Sequence, residues 1–366
     1  MQKVKKLPQK IFKGFFKFIF KIFYGNIIYE KNNLNSKEIE IKLITDENLV
    51  SFFKKKYKVY KIDNGRVYTD NVENVAIINK NKILDNISFQ QQSGYLNTSE
   101  KNICIKNGTP RIKKKVKGRD LSLVQGASGN SNYYHWLFDM LPKIKLYSEI
   151  YDLKDLNFLY TNKLKNFQVS SLNPLGLDKI EVIDSEMHRH IQADEVVCTD
   201  HLSYFSGYIS DQSKHIPIWI VKWLRSVFLE CSKKFECNDK VFIDRSSANS
   251  KHCQFVNQYE ISEFLVNKGF TKYKTENLNF FEQIYLFNNS SCIFGAHGAG
   301  LANLAFCKKK TKVIEIRPTN HPSNLYEKLS EINDLNYKLI KTNKVKNDEN
   351  SNGDIFLDTN LLKNII

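Results

Sequence analysis

The chain has 366 residues, of which 42% are hydrophobic and 26% are charged, and its formal net charge is +16. This composition excludes global disorder and integral membrane proteins, and it allows two or three domains with a sizeable core. The excess of Lys and Arg favours anionic partners such as phosphates or acidic lipids. The longest uncharged stretch near the N-terminus, 22–29, is too short to span a membrane, and lysines interrupt every candidate signal-peptide core.

Residues 1–25 contain seven lysines and no acidic residue. Six of these lysines recur every 3.6 residues on average, so they share one stripe of a helix, and aromatic residues cover much of the remainder. A basic stripe beside an aromatic face favours the surface of an anionic membrane. The alternative is a helix that packs its apolar face on its own domain or on a partner. The residues expected at the membrane surface are Lys10, Lys13, Phe16, Lys17, Phe20 and Lys21.

A second basic run, 101–119, contains Gly108 and Pro110, which predict a loop. Such a run could gather phosphates or acidic glycan, although most are simply solvated surfaces. No helix-turn-helix, RNP-type or zinc-finger pattern occurs, so we expect no nucleic-acid partner. The seven cysteines are irregularly spaced and include no Cys-x-x-Cys pair. We therefore expect reduced cytosolic thiols and no metal site.

From residue 133 onward, short apolar runs alternate with helical patterns. The predicted helices are 133–150, 214–231, 259–267, 279–288, 299–306 and 323–332. The predicted strands are 157–160, 180–183, 195–198, 240–243, 292–295, 312–316 and 335–340. This alternation predicts an α/β protein with βαβ units and parallel sheets, whereas 32–100 give no clear pattern. The predicted domains are a helix at 1–25, a lobe at 26–213, a connecting helix at 214–234, a second lobe at 235–345 and a tail or helix at 346–366.

The segment 292–303 runs from a strand through a glycine-rich turn into a helix. Its backbone N–H groups and the positive end of the helix meet near Gly298, Ala299 and Gly300, which suits a pyrophosphate. His297 in the turn could donate to a phosphate oxygen or could simply cap the helix. The spacing is neither a P-loop nor the G-x-G-x-x-G fingerprint, so the pattern alone is moderately specific.

Two further strands carry residues that suit a nucleotide. Glu315 lies in an apolar strand, where an acid commonly accepts a hydrogen bond from a ribose hydroxyl; an internal ion pair is the alternative. Arg245 follows the strand 240–243, and the carboxyl ends of parallel strands line the ligand crevice. Its planar guanidinium can therefore meet a phosphate.

A third candidate site is the helix that begins after Asn132, a suitable N-cap. His135 and Asp139 are four residues apart and share one face of this helix. Asp139 could orient the imidazole while His135 accepts a proton, or Asp139 could itself be the base. A purely structural hydrogen bond is the alternative.

Five segments occur together in one order along the chain. They are Tyr133-Tyr-His-Trp-Leu-Phe-Asp-Met-Leu-Pro142, Asp244-Arg245-Ser246, Glu282-Gln283-Ile284, Gly295-Ala-His-Gly-Ala-Gly-Leu-Ala-Asn303 and Val313-Ile-Glu-Ile-Arg-Pro318. This series resembles glycosyltransferase family 61, whose bacterial members often accompany capsule or lipopolysaccharide synthesis genes. The resemblance covers roughly 120–320, and its specific part is His-Gly-Ala-Gly-Leu-Ala-Asn with the Glu-Ile-Arg-Pro that follows.

The resemblance implies a GT-B-like fold, with two Rossmann-like lobes facing a cleft, and inverting, metal-independent sugar transfer without a cofactor. The expected donor is a nucleotide-diphosphate sugar, specifically a UDP-sugar, and the expected acceptor is a glycan or lipid-linked glycan. The chain departs from the family pattern after Arg245, where Ser246, Ser247 and Ala248 stand in place of a further basic residue. The absence of an Asp-x-Asp motif, the usual carboxylate pair for a metal, agrees with metal independence.

These inferences assign a role to each candidate residue. The expected donor-binding residues are Arg245, Gln283, His297, Gly298, Ala299, Gly300, Asn303 and Glu315, in the C-terminal lobe. His135 and Asp139 are the candidate bases for the acceptor in the N-terminal lobe. The expected location is the cytoplasmic face of the membrane. The rival functions are a non-catalytic nucleotide- or anion-binding module of a polysaccharide assembly complex and a basic nucleic-acid binder.

Overall fold

The structure is a computed structural model that describes ten stretches of the chain. They are 6–31, 33–71, 74–102, 111–126, 131–204, 207–212, 214–246, 253–342, 353–363 and 365–366, with the side chains of 6–10, 70 and 71 excluded. The side chain of Lys10, the middle of the basic run 101–119, Ser247 and the beginning of the predicted tail therefore lie outside the described residues. Contacts divide the chain into two compact units, Met1–Lys165 with Leu177–Pro217, and Asn166–Gly176 with Ile218–Ile366.

Helices and strands alternate through most of the described chain. The helices are α1 (Lys6–Tyr24), α2 (Tyr133–His135, the π-helical turn Trp136–Met140, and Leu141–Ser148), α3 (Asn166–Leu172), α4 (Ile209–Gln212), α5 (Ile218–Phe228), α6 (Gln258–Asn267), α7 (Phe280–Asn289) and α8 (Leu325–Ile332). Short 3-10 helices lie at Ser99–Lys101, Leu153–Asp155, Asn173–Leu175, Thr275–Asn277, Ala299–Phe306 and Thr359–Leu362.

The strands form two sheets. In chain order they are β1 (Ile28–Tyr29), β2 (Ile39–Leu43), β3 (Lys58–Asp63), β4 (Arg66–Asn71), β5 (Asn74–Asn79), β6 (Lys82–Ile83), β7 (Gln90–Gln92), β8 (Tyr95–Asn97), β9 (Lys114–Ser122), β10 (Phe158–Thr161), β11 (Glu181–Asp184), β12 (His190–Thr199), β13 (Gly207–Tyr208), β14 (Lys240–Ile243), β15 (Thr271–Tyr273), β16 (Cys292–Ala296), β17 (Lys312–Pro318) and β18 (Asn336–Thr342). The predicted mixed α/β class is confirmed.

The first unit contains a mixed sheet with the main strand order β11-β10-β9-β12-β4-β5-β7-β8-β13. Strands β11, β10, β9 and β12 are parallel, and in chain order they read 3-2-1-4, as in one half of a Rossmann-type sheet. From β12 to β4 and beyond, the pairs are antiparallel.

The expectation that the first lobe is simply Rossmann-like therefore needs correction for residues 28–97. Most strand pairs in this part are antiparallel, and short connections join β4 to β5, β5 to β6 and β7 to β8, whereas β1 and β6 pair in parallel. Between β7 and β8, for example, the chain reverses at Ser93 and Gly94, which both have positive φ. That is the conformation of a type I′ hairpin.

The second unit contains five parallel strands in the order β15-β14-β16-β17-β18. Numbered along the chain, this order is 2-1-3-4-5, a doubly wound arrangement whose direction changes between β14 and β16. The predicted strands at 240–243, 292–295, 312–316 and 335–340 are confirmed to within two residues. Strand β15 was not predicted, because its three residues are only half-buried at the edge of the sheet.

Two segments outside these sheets attach closely to the units. Helix α1 ends at Tyr24, whose carbonyl accepts a 3.3 Å hydrogen bond from Nη1 of Arg66 in the first unit. None of the described helices has the length and hydropathy that crossing a membrane requires. In the second unit, Ile355, Leu357 and Leu362 of the C-terminal segment are fully buried in the hydrophobic core.

Candidate active site

An opening lies at the carboxyl ends of β14 and β16 in the second sheet. Ile243 and Gly295 are paired across these two strands, so the residues that follow them emerge side by side. Two small cavities lie there, of about 180 and 100 Å³, and Arg245 and Ala296 line both of them. In doubly wound sheets the point where the strand order changes direction is the usual place for a ligand.

The turn after β14 holds Arg245 at this edge. Oδ1 of the buried Asp244 accepts hydrogen bonds from the Ser246 amide at 2.8 Å and from Nε2 of Gln258 at 3.0 Å. Nε2 of Gln254 donates to the Arg245 carbonyl at 3.3 Å. Burial lowers the pKa of Arg245, yet a guanidinium remains protonated in proteins. The site therefore contains a positioned, partly desolvated positive charge.

Gly298, the first residue beyond the turn after β16, lies against this guanidinium. A Cβ atom at Gly298 would meet Cζ and Nη1 of Arg245 at 2.2 Å. The backbone of Gly298 is extended, with φ of 169°, so a larger residue could adopt its conformation. The glycine is therefore required by the close approach of Arg245 and not by backbone strain.

The segment predicted as a helix at 299–306 is a 3-10 helix. The amide of Leu301 donates to the carbonyl of Gly298 at 2.9 Å, and Nδ2 of Asn303 donates to the carbonyl of Gly300 at 3.2 Å. The side chain thus engages a carbonyl that an α-helix would use for residue 304. The first amides of any such helix have no partner within it, and this holds for a 3-10 helix as it does for an α-helix.

Gln283 and Asn303 differ from their expected contact with the donor. Both side chains are buried, and Nδ2 of Asn303 donates to Oε1 of Gln283 at 3.0 Å. Nε2 of Gln283 in turn donates to the carbonyl of Leu278 at 3.2 Å. Neither residue lines the two cavities. They connect α7 to the 3-10 helix and so stabilise the position of the glycine-rich turn.

Glu315 also differs from its expected role as a ribose acceptor. It is fully buried, and its two oxygens lie 2.5 Å from Nδ1 of His297 and from the hydroxyl of Tyr337. Burial raises the pKa of this carboxyl, but the hydrogen bonds from His297 and Tyr337 and the charge of Arg317 outweigh it and lower the pKa. Glu315 is therefore the internal partner that orients His297.

Two residues of this neighbourhood were not predicted. Arg317 lies two positions beyond Glu315, hence on the same face of β17, and it is buried with no hydrogen-bond partner for Nε and Nη1 among the described residues. The buried ring of Tyr326 lies 5.0 Å from that of His297. The two-residue spacing from Glu315 to Arg317 could have indicated the first. No sequence pattern indicated Tyr326, because it lies in α8, which is distant in sequence from the glycine-rich turn.

In the first unit, the predicted pair at the start of α2 is formed. Oδ1 of Asn132 accepts hydrogen bonds from the next amides of the helix, as expected of an N-cap. Nδ1 of His135 lies 2.6 Å from Oδ2 of Asp139. The side chain of Asp139 is fully buried, whereas that of His135 is 25% exposed. His135 is therefore the member of the pair that a substrate could contact, and Asp139 orients it.

Asp139 lies in the π-helical turn of α2, and further titratable side chains are buried beneath it. Lys143, one turn later, donates to the carbonyl of Leu123 at 2.8 Å, and burial lowers its pKa to about 7 although Asp139 and Cys198 oppose this shift. Burial also lowers the pKa of His201, helped by the charges of Lys143 and His135. Neither Lys143 nor His201 was predicted. Lys143 lies eight residues after His135, a spacing that could have indicated it.

The motif-bearing part of the chain matches a known family. Residues 133–314 match the family model Glycosyltransferase 61. The chain belongs to glycosyltransferase family 61. The predicted family is thus confirmed, and both His135 and the glycine-rich turn fall within the matched part. The coarse prediction of a glycosyltransferase agrees with this family.

Other comparisons add little to the family assignment. One similar solved structure is that of the dodecameric iron-containing heptosyltransferase TibC in complex with ADP-D-beta-D-heptose. It has 11% sequence identity and a TM-score of 0.30, and the match covers 78% of this chain and 80% of that chain. A likeness at this score carries no argument about this family 61 chain. No curated protein sequence matches it significantly.

The residues expected at a membrane surface lie on α1, apart from the undescribed side chain of Lys10. Lys13 and Lys21 are exposed and Lys17 is half-buried. Phe16 and Phe20 differ from the expectation, because they are half-buried and line a groove on the first unit.

We expect Gly298→Ala to weaken the binding of a nucleoside diphosphate by about tenfold or more, because its methyl group displaces Arg245 and a hydrogen bond to a charged group contributes about 1.5–3 kcal/mol. The free energy of unfolding should change little, since the backbone is extended. Isothermal titration calorimetry measures the first quantity and urea denaturation the second. Gly14→Ala is the control, because a Cβ there meets nothing within 4 Å. Equal affinities for Gly298→Ala and wild type would contradict the prediction.

We expect Lys143→Met to alter the pH dependence of stability. The unfolded chain keeps this lysine protonated to about pH 10, whereas the folded chain releases the proton near pH 7. The wild-type free energy of unfolding therefore gains up to about 1.4 kcal/mol per pH unit between these values, and the variant lacks this gain. Urea denaturation from pH 7 to pH 9 should show that the free energy of unfolding of the variant falls increasingly below that of wild type as pH rises. A constant difference, as expected for the exposed control Lys163→Met, would exclude a buried titrating lysine.

Proposed function

We propose that this family 61 protein transfers a sugar from a nucleotide-diphosphate donor, specifically a UDP-sugar, to a glycan or lipid-linked glycan. The reaction is inverting and metal-independent, and the enzyme is of the GT-B type. The second unit binds the donor and the first unit supplies the base for the acceptor. The observation that carries the proposal is the guanidinium of Arg245 against Gly298, where the strand order changes direction and the family motif lies.

The donor's diphosphate would bind at Gly298–Gly300 and Arg245. Fixed amides and a guanidinium stabilise the negative charge that develops on the leaving diphosphate without having to reorganise during the reaction. His297 would add a third contact. Since Nδ1 of His297 is engaged by Glu315, Nε2 is the remaining ring nitrogen, and it would donate to a phosphate oxygen when both ring nitrogens carry a proton. These groups would supply the positive charge that a metal ion supplies in other transferases.

The acceptor hydroxyl would lose its proton to His135 as it attacks the anomeric carbon. Asp139 accepts the Nδ1 proton of His135, which leaves the lone pair of Nε2 for the acceptor. Attack from the face opposite the leaving diphosphate breaks the bond to that diphosphate and inverts the anomeric centre. General base catalysis of this kind contributes about 10²–10⁴-fold to the rate.

The setting we propose is surface polysaccharide synthesis, either capsule or lipopolysaccharide, at the cytoplasmic face of the membrane. The basic helix α1 would hold the enzyme to the anionic lipid, near a lipid-linked acceptor. The exposed lysines of α1 and the net charge of +16 support this location.

We expect His135→Ala to lower kcat by about 10²–10⁴-fold with little change in donor affinity, because the base acts on the acceptor. Asp139→Asn should lower kcat less and should shift the pH profile, since it changes only the partner of Nδ1. Steady-state kinetics of both variants from pH 6 to pH 9 measures these effects. If His135→Ala keeps wild-type kcat, this residue is not the base.

We expect one nucleotide class to stabilise the purified protein in the presence of EDTA. A panel of UDP, GDP, CMP and dTDP forms, measured by thermal unfolding, tests this. A ligand at a hundred times its Kd adds about 2.7 kcal/mol to the free energy of unfolding. The effect should disappear in Arg245→Ala and persist in His135→Ala. Stabilisation that requires a metal ion, or that survives in Arg245→Ala, would overturn the proposed donor site.

A further inference from the structure

Helix α1 presents a row of aromatic rings to the first unit. The ring centroids of Phe12 and Phe16 are 4.6 Å apart, those of Phe16 and Phe20 are 6.2 Å apart, and those of Phe20 and Tyr24 are 5.2 Å apart. The row ends at Tyr24, whose hydroxyl accepts a 3.2 Å hydrogen bond from the amide of Lys113. This contact fixes one end of α1 beside the start of β9.

A different face of α1 carries large apolar side chains that are mostly exposed. Ile11, Phe15, Phe18 and Ile22 are 60–68% exposed, and their spacing of four, three and four residues places them in one row. A single exposed apolar residue is ordinary, but a continuous row marks a surface that meets a membrane or a partner. We call these four residues the exposed row.

A groove of about 610 Å³ lies between the aromatic rings and the body of the first unit. We call it the α1 groove. Its apolar side consists of Phe12, Phe16, Phe20, Ile112 and Met187. Phe12 is itself 65% exposed, so the apolar side of the groove continues towards the exposed row. The volume lies within the range of about 300–1,000 Å³ that is usual for sites of small organic ligands.

Cationic side chains also line the α1 groove. We call Lys13, Arg111, Lys114 and Arg189 the groove cations. No acidic residue is among the described side chains that line the groove. Lys13, Arg111 and Lys114 form no ion pair with a described residue, and Nε of Arg111 is buried without a hydrogen-bond partner among them. Lys13, Arg111 and Lys114 are thus three positive charges without an ion-pair partner among the described residues, and such charges attract an anion to that place.

An apolar trough beside a cluster of positive charges has the two chemistries of one anionic phospholipid. We propose that the α1 groove binds a single anionic phospholipid, whose phosphate contacts the groove cations and whose acyl chain lies along the phenylalanine rings. A nucleotide would leave the apolar lining unused, and a neutral lipid would bring no negative charge to the groove cations. This inference rests on the proposed association of α1 with the membrane surface, and it adds a site for an individual lipid.

The test uses the full chain and dihexanoyl phosphatidylglycerol below its micelle concentration, so that no bilayer is present. Calorimetry should show one saturable site, with Kd at least about tenfold lower than for dihexanoyl phosphatidylcholine. Inorganic phosphate at the same concentration should not compete, which separates a lipid site from a free-phosphate site. Arg111→Gln/Lys114→Gln/Arg189→Gln should weaken binding about tenfold or more. The matched control, Lys37→Gln/Lys55→Gln/Lys163→Gln, removes three exposed charges elsewhere on the first unit and should bind as wild type does.

A second variant tests the apolar side without risk to the core. Ile112 and Met187 are 79% and 77% exposed, so Ile112→Ser/Met187→Ser should fold normally and still bind the short-chain lipid more weakly. Equal binding of the two lipids, full competition by phosphate, or an equal loss in the matched control would overturn the proposal. A dimer in sedimentation velocity that dissociates in Ile112→Ser/Met187→Ser would assign the groove to a second copy of the chain and also overturn the proposal.

The proposals of membrane association and of the donor site can each be refuted independently of the proposed lipid site. Wild type should co-sediment with vesicles of phosphatidylcholine that contain 30% phosphatidylglycerol, whereas Phe15→Ser/Phe18→Ser should remain in the supernatant. If that variant still sediments, the proposed role of the exposed row is wrong, whatever the soluble lipid shows. Nucleotide stabilisation should be the same in the groove variants and wild type, because Arg245 and Gly298 are unchanged in them.

Discussion

The parallel pairing of β14 with β16 is the constraint on which the second unit depends. The chain leaves β14 for β15 on one side of the pair and leaves β16 for β17 on the opposite side, so the two connections diverge. An opening at the carboxyl ends of these strands follows from that topology and needs no special loop. The register of the pair then brings Arg245 and Gly298 together, and a side chain at Gly298 would occupy the same space as the guanidinium.

The strands of the second sheet were predictable, because a strand buried on both faces reads as a continuous apolar run. β16 is such a run, and in β17 only Lys312, Glu315 and Arg317 interrupt the apolar residues. The antiparallel part of the first sheet was not: β2 alternates apolar and polar residues over only five positions, and three of its five side chains, including Ile41 and Leu43, are exposed. Such strands are fixed by their partners, and the pairing of β3 with β12 joins residues more than 130 positions apart. No local pattern contains that information.

The sequence predicted which residues belong to the candidate site better than it predicted what each of them contacts. His135 and Asp139 are one turn apart on a single helix, so their sequence spacing already determined their contact. Glu315 is different, because it faces His297 on a neighbouring strand and Tyr337 on the next, and a sequence shows an acid in a strand without showing which side chains surround it. Gln283 was likewise predicted to contact the donor because the sequence does not show its neighbours. Its partner is the buried side-chain amide of Asn303.

The division of the chain has a consequence for how the protein is made. The second unit takes Asn166–Gly176 from within the first unit's sequence, and its core includes Ile355, Leu357 and Leu362. Each of these buried side chains contributes about 1.5–3 kcal/mol relative to an exposed one. During synthesis the second unit therefore remains incomplete until these C-terminal residues have left the ribosome, whereas all residues of the first unit precede Ile218. No single cut in the chain separates the two units, so they cannot be produced as independent halves.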